Sequence, residues 1–172
     1  MTGVQTCALP ISPANVVAFF QPGEDVNYIA VPPMGELPNV VLHEYVHLML
    51  RDNVGSLPVW ITEGLAEFYS TFETGGKQNE FTIGRAPDRH LATLMEPAQF
   101  LPLKNLLSVQ QNSPEYNAHS RQGIFYAESW AVVHYMILGP ESKRKSQFVQ
   151  LLMALTRGDP FDESFSEAFQ TD

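Results

Sequence analysis

His43, Glu44 and His47 stand in the order HExxH within the segment LHEYVHLMLRDNVGSLPVWITEGLAEFY, which runs from Leu42 to Tyr69. On a helix, residues four apart return to within roughly 40° of one another, one turn along. His43 and His47 therefore share a face and can hold one metal ion. Glu44 stands beside them, near enough to act on a water bound to that metal but not placed to be a third ligand on the same helix. A zinc hydrolase needs that division of labour: ligands that fix the ion, and a carboxylate that takes the proton from its water.

The third ligand has to come from another element. Glu63 follows His47 after 15 intervening residues, inside WITEG. Between them the apolar helix continues through Leu48, Met49 and Leu50 and breaks over Arg51-Asp52-Asn53-Val54-Gly55-Ser56, where Asn, Gly and Ser form turns. Pro58 suits the first turn of a second helix, on which Trp60, Ile61, Leu65, Ala66, Phe68 and Tyr69 supply apolar contacts. Two antiparallel helices joined by a short turn can bring Glu63 against the histidine pair. Glu67, four residues on and on the same side, can accept a hydrogen bond from the second nitrogen of a liganding histidine and so fix its tautomer and ring orientation.

HEYVH followed by PVWITEGLAEF resembles the gluzincin branch of zinc metallopeptidases, in which a Glu on the next helix completes HExxH. WITEG is similar to the WLNEG-type segment of the membrane alanyl aminopeptidases, and the spacing of Glu63 and Glu67 resembles the thermolysin pattern, in which a carboxylate four residues after the Glu ligand supports the first His. HEYVH, EGLAEF and FYAESWAVVHYM resemble small bacterial peptidase-MA-like domains of unassigned substrate more closely still. The interval from the second His to Glu63 is shorter than in the aminopeptidases, and no GxMEN-type segment is present to receive a substrate amino group. Aminopeptidase specificity is therefore not carried over. The resemblance implies an α+β, zincin-like fold with a small N-terminal sheet, one Zn²⁺, and a peptide or protein as substrate.

At ordinary residue frequencies a chance HExxH in a chain of this size occurs on the order of once in a few hundred. The motif by itself is moderate evidence, and Trp-x-x-Glu-Gly on its own helix strengthens it. The competing reading makes His43 and His47 ordinary histidines of an amphipathic helix, with Glu63 and Glu67 on a solvated face. A purely structural zinc site fits poorly, because such sites are closed by four protein ligands and rich in Cys.

Two strands are expected before the HExxH helix: Asn15 to Gln21 and Val26 to Val31, β-branched and aromatic runs separated by Pro22-Gly23-Glu24-Asp25. The second is either an ordinary core strand or, as the zincin resemblance implies, an edge that pairs with extended substrate. The chain then enters the HExxH helix near Pro38 or Asn39. The second helix is expected to end near Thr74-Gly75-Gly76, followed by a short strand over Glu80 to Gly84 and a helix over Pro87 to Met95 packing over the site. Leu103 to Val109 reads as a further turn or two of helix, and the stretch containing Asn112, Ser113, Pro114 and Asn117 as a polar loop. His90 and His119 read as surface residues.

Arg121 to Leu138 is a strongly apolar helix that stops at Gly139-Pro140, with Tyr126, Ser129, Trp130, Val133 and Ile137 on one stripe. A hydrolase of this kind benefits from a donor to the oxyanion, a task for Tyr or His. Tyr126 and, less well placed, His134 are the two residues offered, against the alternative that both are core aromatics. Glu128 is a weaker possibility beside them. Glu141 to Arg157 forms an amphipathic helix with Phe148, Leu151, Leu152 and Leu155 inward, and Phe161 to Phe169 a last short one.

Composition bounds the remaining possibilities. The net charge of −9 and the scatter of the basic residues exclude a phosphate-binding surface for nucleic acid or anionic membrane. No stretch approaches 18 apolar residues, so none spans a membrane. Residues 1–12, MTGVQTCALPIS, resemble a translated sequencing-library adapter and are set aside with Cys7, the single cysteine. The remaining residues, 13–172, read as one zincin-like domain, a piece of a longer protein whose compartment the sequence leaves open, periplasmic or secreted among the options. Two other classes accommodate the same residues: a zinc-binding but inactive scaffolding module, and a non-peptidic amidase with the same metal chemistry.

Overall fold

The computed structural model describes residues 19–21, 23, 26–30, 37–75, 80–96, 99–140 and 142–170. The fold is α+β, with little strand and much helix. An antiparallel pair, β1 (Phe19–Gln21) and β2 (Tyr28–Ala30), with Phe20 opposite Ile29, lies beside α1 (Leu37–Asn53). Residues 15–18 and 31 of the two expected strands lie outside the described residues, as does the 1–12 segment.

Helix α1 ends where Gly55 takes a φ of +84°, a left-handed conformation that costs glycine little and lets its N–H and that of Val54 close onto the Leu50 carbonyl. After this turn Pro58, with φ near −52°, leads into α2 (Val59–Tyr69). Trp60, Ile61, Gly64, Leu65, Ala66 and Phe68 of α2 are all buried together with Glu63 and Glu67, so the helix is enclosed on nearly every side rather than amphipathic. It lies between α1 and the longest helix, α6 (His119–Leu138). Gly64 makes the α2–α6 approach possible: a Cβ there would lie 2.5 Å from the Ser129 carbonyl oxygen and 2.6 Å from Val133 Cγ2.

Helix α2 stops at Tyr69, earlier than the expected Thr74-Gly75-Gly76. Ser70 Oγ and Thr71 Oγ1 fold back to donate to the carbonyls of Glu67 and Phe68 at 2.8 and 2.9 Å, hydroxyls competing with the helical pattern at its last turn. The chain then forms a second small antiparallel pair, β3 (Glu73–Thr74) and β4 (Phe81–Thr82). Tyr69 makes its apolar contact edge-on with the Phe68 ring, 5.3 Å between centroids, and stays 42% exposed.

Helix α3 (Asp88–Leu94) packs on α6 and is followed by α4 (Leu103–Ser108) and a single turn, α5 (Pro114–Asn117). That turn stands where a polar loop was expected, because Pro114 at its first position presets the backbone and Tyr116 buries its ring against Phe125. Helices α7 (Ser142–Thr156) and α8 (Phe161–Phe169) pack against each other, with Phe148, Leu151, Leu155, Ala168 and Phe169 joining the core formed by Trp60, Phe68, Phe125, Trp130 and Val133. Leu152 is only partly buried at its edge. Among the described residues no helix is long and apolar enough to cross a membrane.

Candidate metal centre

On α1 the exposed residues Val41, Tyr45 and Met49 alternate with the buried His43, Glu44 and His47, so the HExxH face is turned inward, toward α2. The Nε2 atoms of His43 and His47 are 3.0 Å apart, and Oε2 of Glu63 lies 3.4 Å from each. The helices therefore bring together the three residues that spacing had offered as ligands. Zn–N and Zn–O bonds of about 2.0–2.1 Å, arranged tetrahedrally, place their donor atoms about 3.3–3.4 Å apart. Two imidazole nitrogens and one carboxylate oxygen at such separations can hold one metal ion.

The electrostatics point the same way. With both imidazoles neutral and Glu63 ionised, three lone pairs converge on one buried point, and only a proton or a cation relieves their repulsion. Burial opposes ionisation of Glu63, but the two histidines outweigh it and hold its carboxyl well below the usual range. Burial likewise disfavours charge on His43; the surrounding carboxylates of Glu63, Glu67 and Glu44 more than offset it, and the pKa of the ring is raised above 6.5. The site thus attracts positive charge while being nearly sealed from water, with Glu44 and Glu63 each 1% exposed.

Each of the two α2 carboxylates has one oxygen committed to the scaffold. Tyr116, on α5, donates its hydroxyl to Oε1 of Glu63 at 3.0 Å, leaving Oε2 to face the imidazoles. Glu67 has Oε1 at 3.5 Å from Nδ1 of His43, on the far side of that ring from Glu63. Its other oxygen is held by Arg89 at 2.5 Å and His90 at 2.9 Å. The two histidines differ here, since Nδ1 of His47 is buried with no hydrogen-bond partner among the described residues.

Tyr126 lies beside the centre, its ring stacked on His43 at 6.3 Å between centroids and on Tyr116 at 6.2 Å. His134 is two turns further along α6, about 12 Å along the axis, where its ring meets Trp130 and Phe68. Glu128 accepts the Leu101 backbone N–H at 3.1 and 3.2 Å, and burial pushes its pKa up to about 7.

Three residues that sequence reasoning passed over take part in this arrangement. His90 is 4% exposed rather than a surface residue, because α3 turns it inward onto Glu67 and Trp130. Arg89 precedes it, and Tyr116 sits in a stretch whose Asn, Ser and Pro residues signal a loop. The side chain of His119 lies outside the described residues.

Residues 39–162 match the model of a family described as protein of unknown function, DUF1570. The chain belongs to the DUF1570 family. The matched stretch includes His43, Glu44, His47, Glu63 and Glu67 as well as Arg89, His90, Tyr116 and Tyr126. No curated protein and no solved structure matches the chain. The family description carries no activity.

Proposed function

We propose that the chain is a zinc-dependent hydrolase, a metallopeptidase of the gluzincin type with a peptidase-MA-like arrangement of its site. The observation that carries this reading is the convergence of His43 Nε2, His47 Nε2 and Glu63 Oε2 within 3.0–3.4 Å of one another, with Glu44 buried next in sequence to the first ligand. Nitrogen and oxygen donors in this ratio suit Zn²⁺, which, when bound, polarises a carbonyl and acidifies water.

The chain's own residues supply the rest. Glu44 is the general base: it takes a proton from the attacking water and delivers it to the leaving amine. Its carboxylate is withdrawn from solvent, so bulk water does not compete for the proton it carries. Glu63 stays ionised, its orientation set by Tyr116, and His43 keeps one ring nitrogen toward Glu67 and the other toward the centre. Tyr126, stacked on His43, is the residue offered to donate to the developing oxyanion.

A scaffolding module would have no use for a buried carboxylate beside the ligands, since burying an ionisable group without a role only costs stability. Glu44, at 1% exposure, therefore favours hydrolysis over scaffolding. The test compares the purified chain with its Glu44→Gln variant for zinc content and for cleavage of a mixed peptide library. About one zinc in each and cleavage by the parent chain alone is the expected result. Equal cleavage by both, or no zinc in the parent, contradicts the reading.

A further inference from the structure

Glu67 links His43 to helix α3, and its surroundings are lopsided. Oε1 lies 3.5 Å from Nδ1 of His43, a separation longer than a formed hydrogen bond. Oε2 has two short ones, to Arg89 and His90. The position of the carboxylate is thus fixed by α3 rather than by the ring it supports. Oε2 already accepts from the guanidinium of Arg89, so it is an acceptor toward His90 as well, and Nε2 of His90 carries the hydrogen of the 2.9 Å bond.

His90 and Arg89 are not equivalent holders. The Arg89 side chain is 62% exposed, so water competes for its guanidinium and screens its charge. The His90 side chain is 5% exposed, and its ring lies against Trp130 at 5.8 Å and 33°, which leaves it little freedom to turn. A directional bond from a rigid, dry donor positions an acceptor; a solvated arginine mainly adds charge.

We propose that His90 is a positioning residue of the metal centre. By pinning Oε2 of Glu67 it directs Oε1 at Nδ1 of His43, which keeps the hydrogen of that imidazole on Nδ1 and its Nε2 lone pair aimed at the point shared with His47 and Glu63. The inference rests on the reading of those three residues as metal ligands and extends it to a residue 43 positions past the second histidine.

The competing role for His90 is to anchor α3 to α2 and α6, and two substitutions separate the roles. His90→Phe keeps a ring against Trp130 but has no hydrogen to donate. His90→Gln gives up the ring but keeps a donor that reaches Glu67. The measurement is Zn²⁺ affinity, by competition with a chromophoric chelator, together with unfolding curves for the metal-free and zinc-saturated chain. Loss of a partner that orients a ligand lowers metal affinity about 10–100-fold. His90→Phe is expected to bind Zn²⁺ about 10-fold more weakly, so that at equal free zinc its metal-induced stabilisation falls by about 1.4 kcal/mol. His90→Gln is expected to stay within about 3-fold of the parent chain, as is Arg89→Ala.

An anchoring role predicts the reverse: unchanged Zn²⁺ affinity in His90→Phe, whose ring still packs on Trp130, and weakened affinity in His90→Gln, which gives that ring up. Either finding overturns the inference while the parent chain still binds zinc. A parent chain that takes up no Zn²⁺ overturns the metal reading, and the positioning role with it.

Discussion

The α1–α2–α6 side of the molecule and the α7–α8 side are built on different terms. Where α2 lies between α1 and α6, burial includes charge: Glu44, Glu63, Glu67, His43 and His47 are all 7% exposed or less. Around α7 and α8 the buried side chains are Phe148, Leu151, Ala154, Leu155, Ala168 and Phe169, with Ser164 the single polar one, its hydroxyl donating to the Pro160 carbonyl. One side holds its shape by matching each buried charge with a partner, the other by removing apolar surface from water. Among the described residues most of the buried charge gathers where a cation can be held, and the α7–α8 side is stabilised by apolar burial.

Changes on either side sharpen or break this division. Phe148→Ala, on the apolar side, deletes a ring that is 2% exposed and is expected to cost about 3–5 kcal/mol in denaturant unfolding. Zinc affinity of the folded variant should stay at the parent value, and a fall in it would show that the two sides are coupled. Gly64→Ala acts inside the charged side, where α2 meets α6, since its methyl would lie 2.5 Å from the Ser129 backbone carbonyl oxygen. Overpacking against backbone that cannot yield is expected to cost about 3 kcal/mol and, by separating α2 from α6, to weaken zinc binding as well. Normal affinity in a destabilised Gly64→Ala variant would mean that Glu63 does not depend on that packing.

Glu128 is a buried charge outside the site, and it tests whether unmatched charge is tolerated there. Its folded pKa, raised to about 7 from 4.5, means that the native state prefers the protonated carboxyl. That preference contributes stability in full below about pH 4.5 and is lost as pH rises through 7. Glu128→Gln, which keeps an acceptor for Leu101, should therefore match the parent chain near pH 4 and exceed it at pH 8 by about 2 kcal/mol, the full shift being discounted for solvent screening of the carboxylate. Parallel pH profiles for the two proteins would contradict this.

The smallest expected effect belongs to Tyr116→Phe, which removes the hydroxyl that orients Glu63 and nothing else. Stability should fall by about 1 kcal/mol, with zinc affinity down by about 10-fold. Unchanged affinity would show that the carboxylate needs no external orientation.

Much of the centre was legible in the sequence because its parts obey local rules. His43 and His47 share a helical face by spacing alone, and the turn residues between Arg51 and Ser56 announce the antiparallel return that carries Glu63 and Glu67 back to them. What the sequence concealed lies outside those rules. Tyr116 and His90 reach the two carboxylates from sequence separations of 53 and 23 residues, and no periodicity connects positions so far apart. His90 in particular sits on a short helix whose neighbours Asp88, Arg89 and Leu91 are exposed, so its inward turn depends on where α3 docks. The end of α2 was misplaced for another reason: Ser70 and Thr71 cap it through their hydroxyls, and neither is the Gly or Asn that marks a helix end in sequence.

Metal content bears most directly on the whole account. The chain and its Glu63→Ala variant, dialysed against limiting Zn²⁺ and subjected to elemental analysis, should hold about one zinc per molecule and almost none, respectively. Zinc retained in full by Glu63→Ala would contradict the third ligand, and no zinc in the parent chain would contradict the metal centre itself.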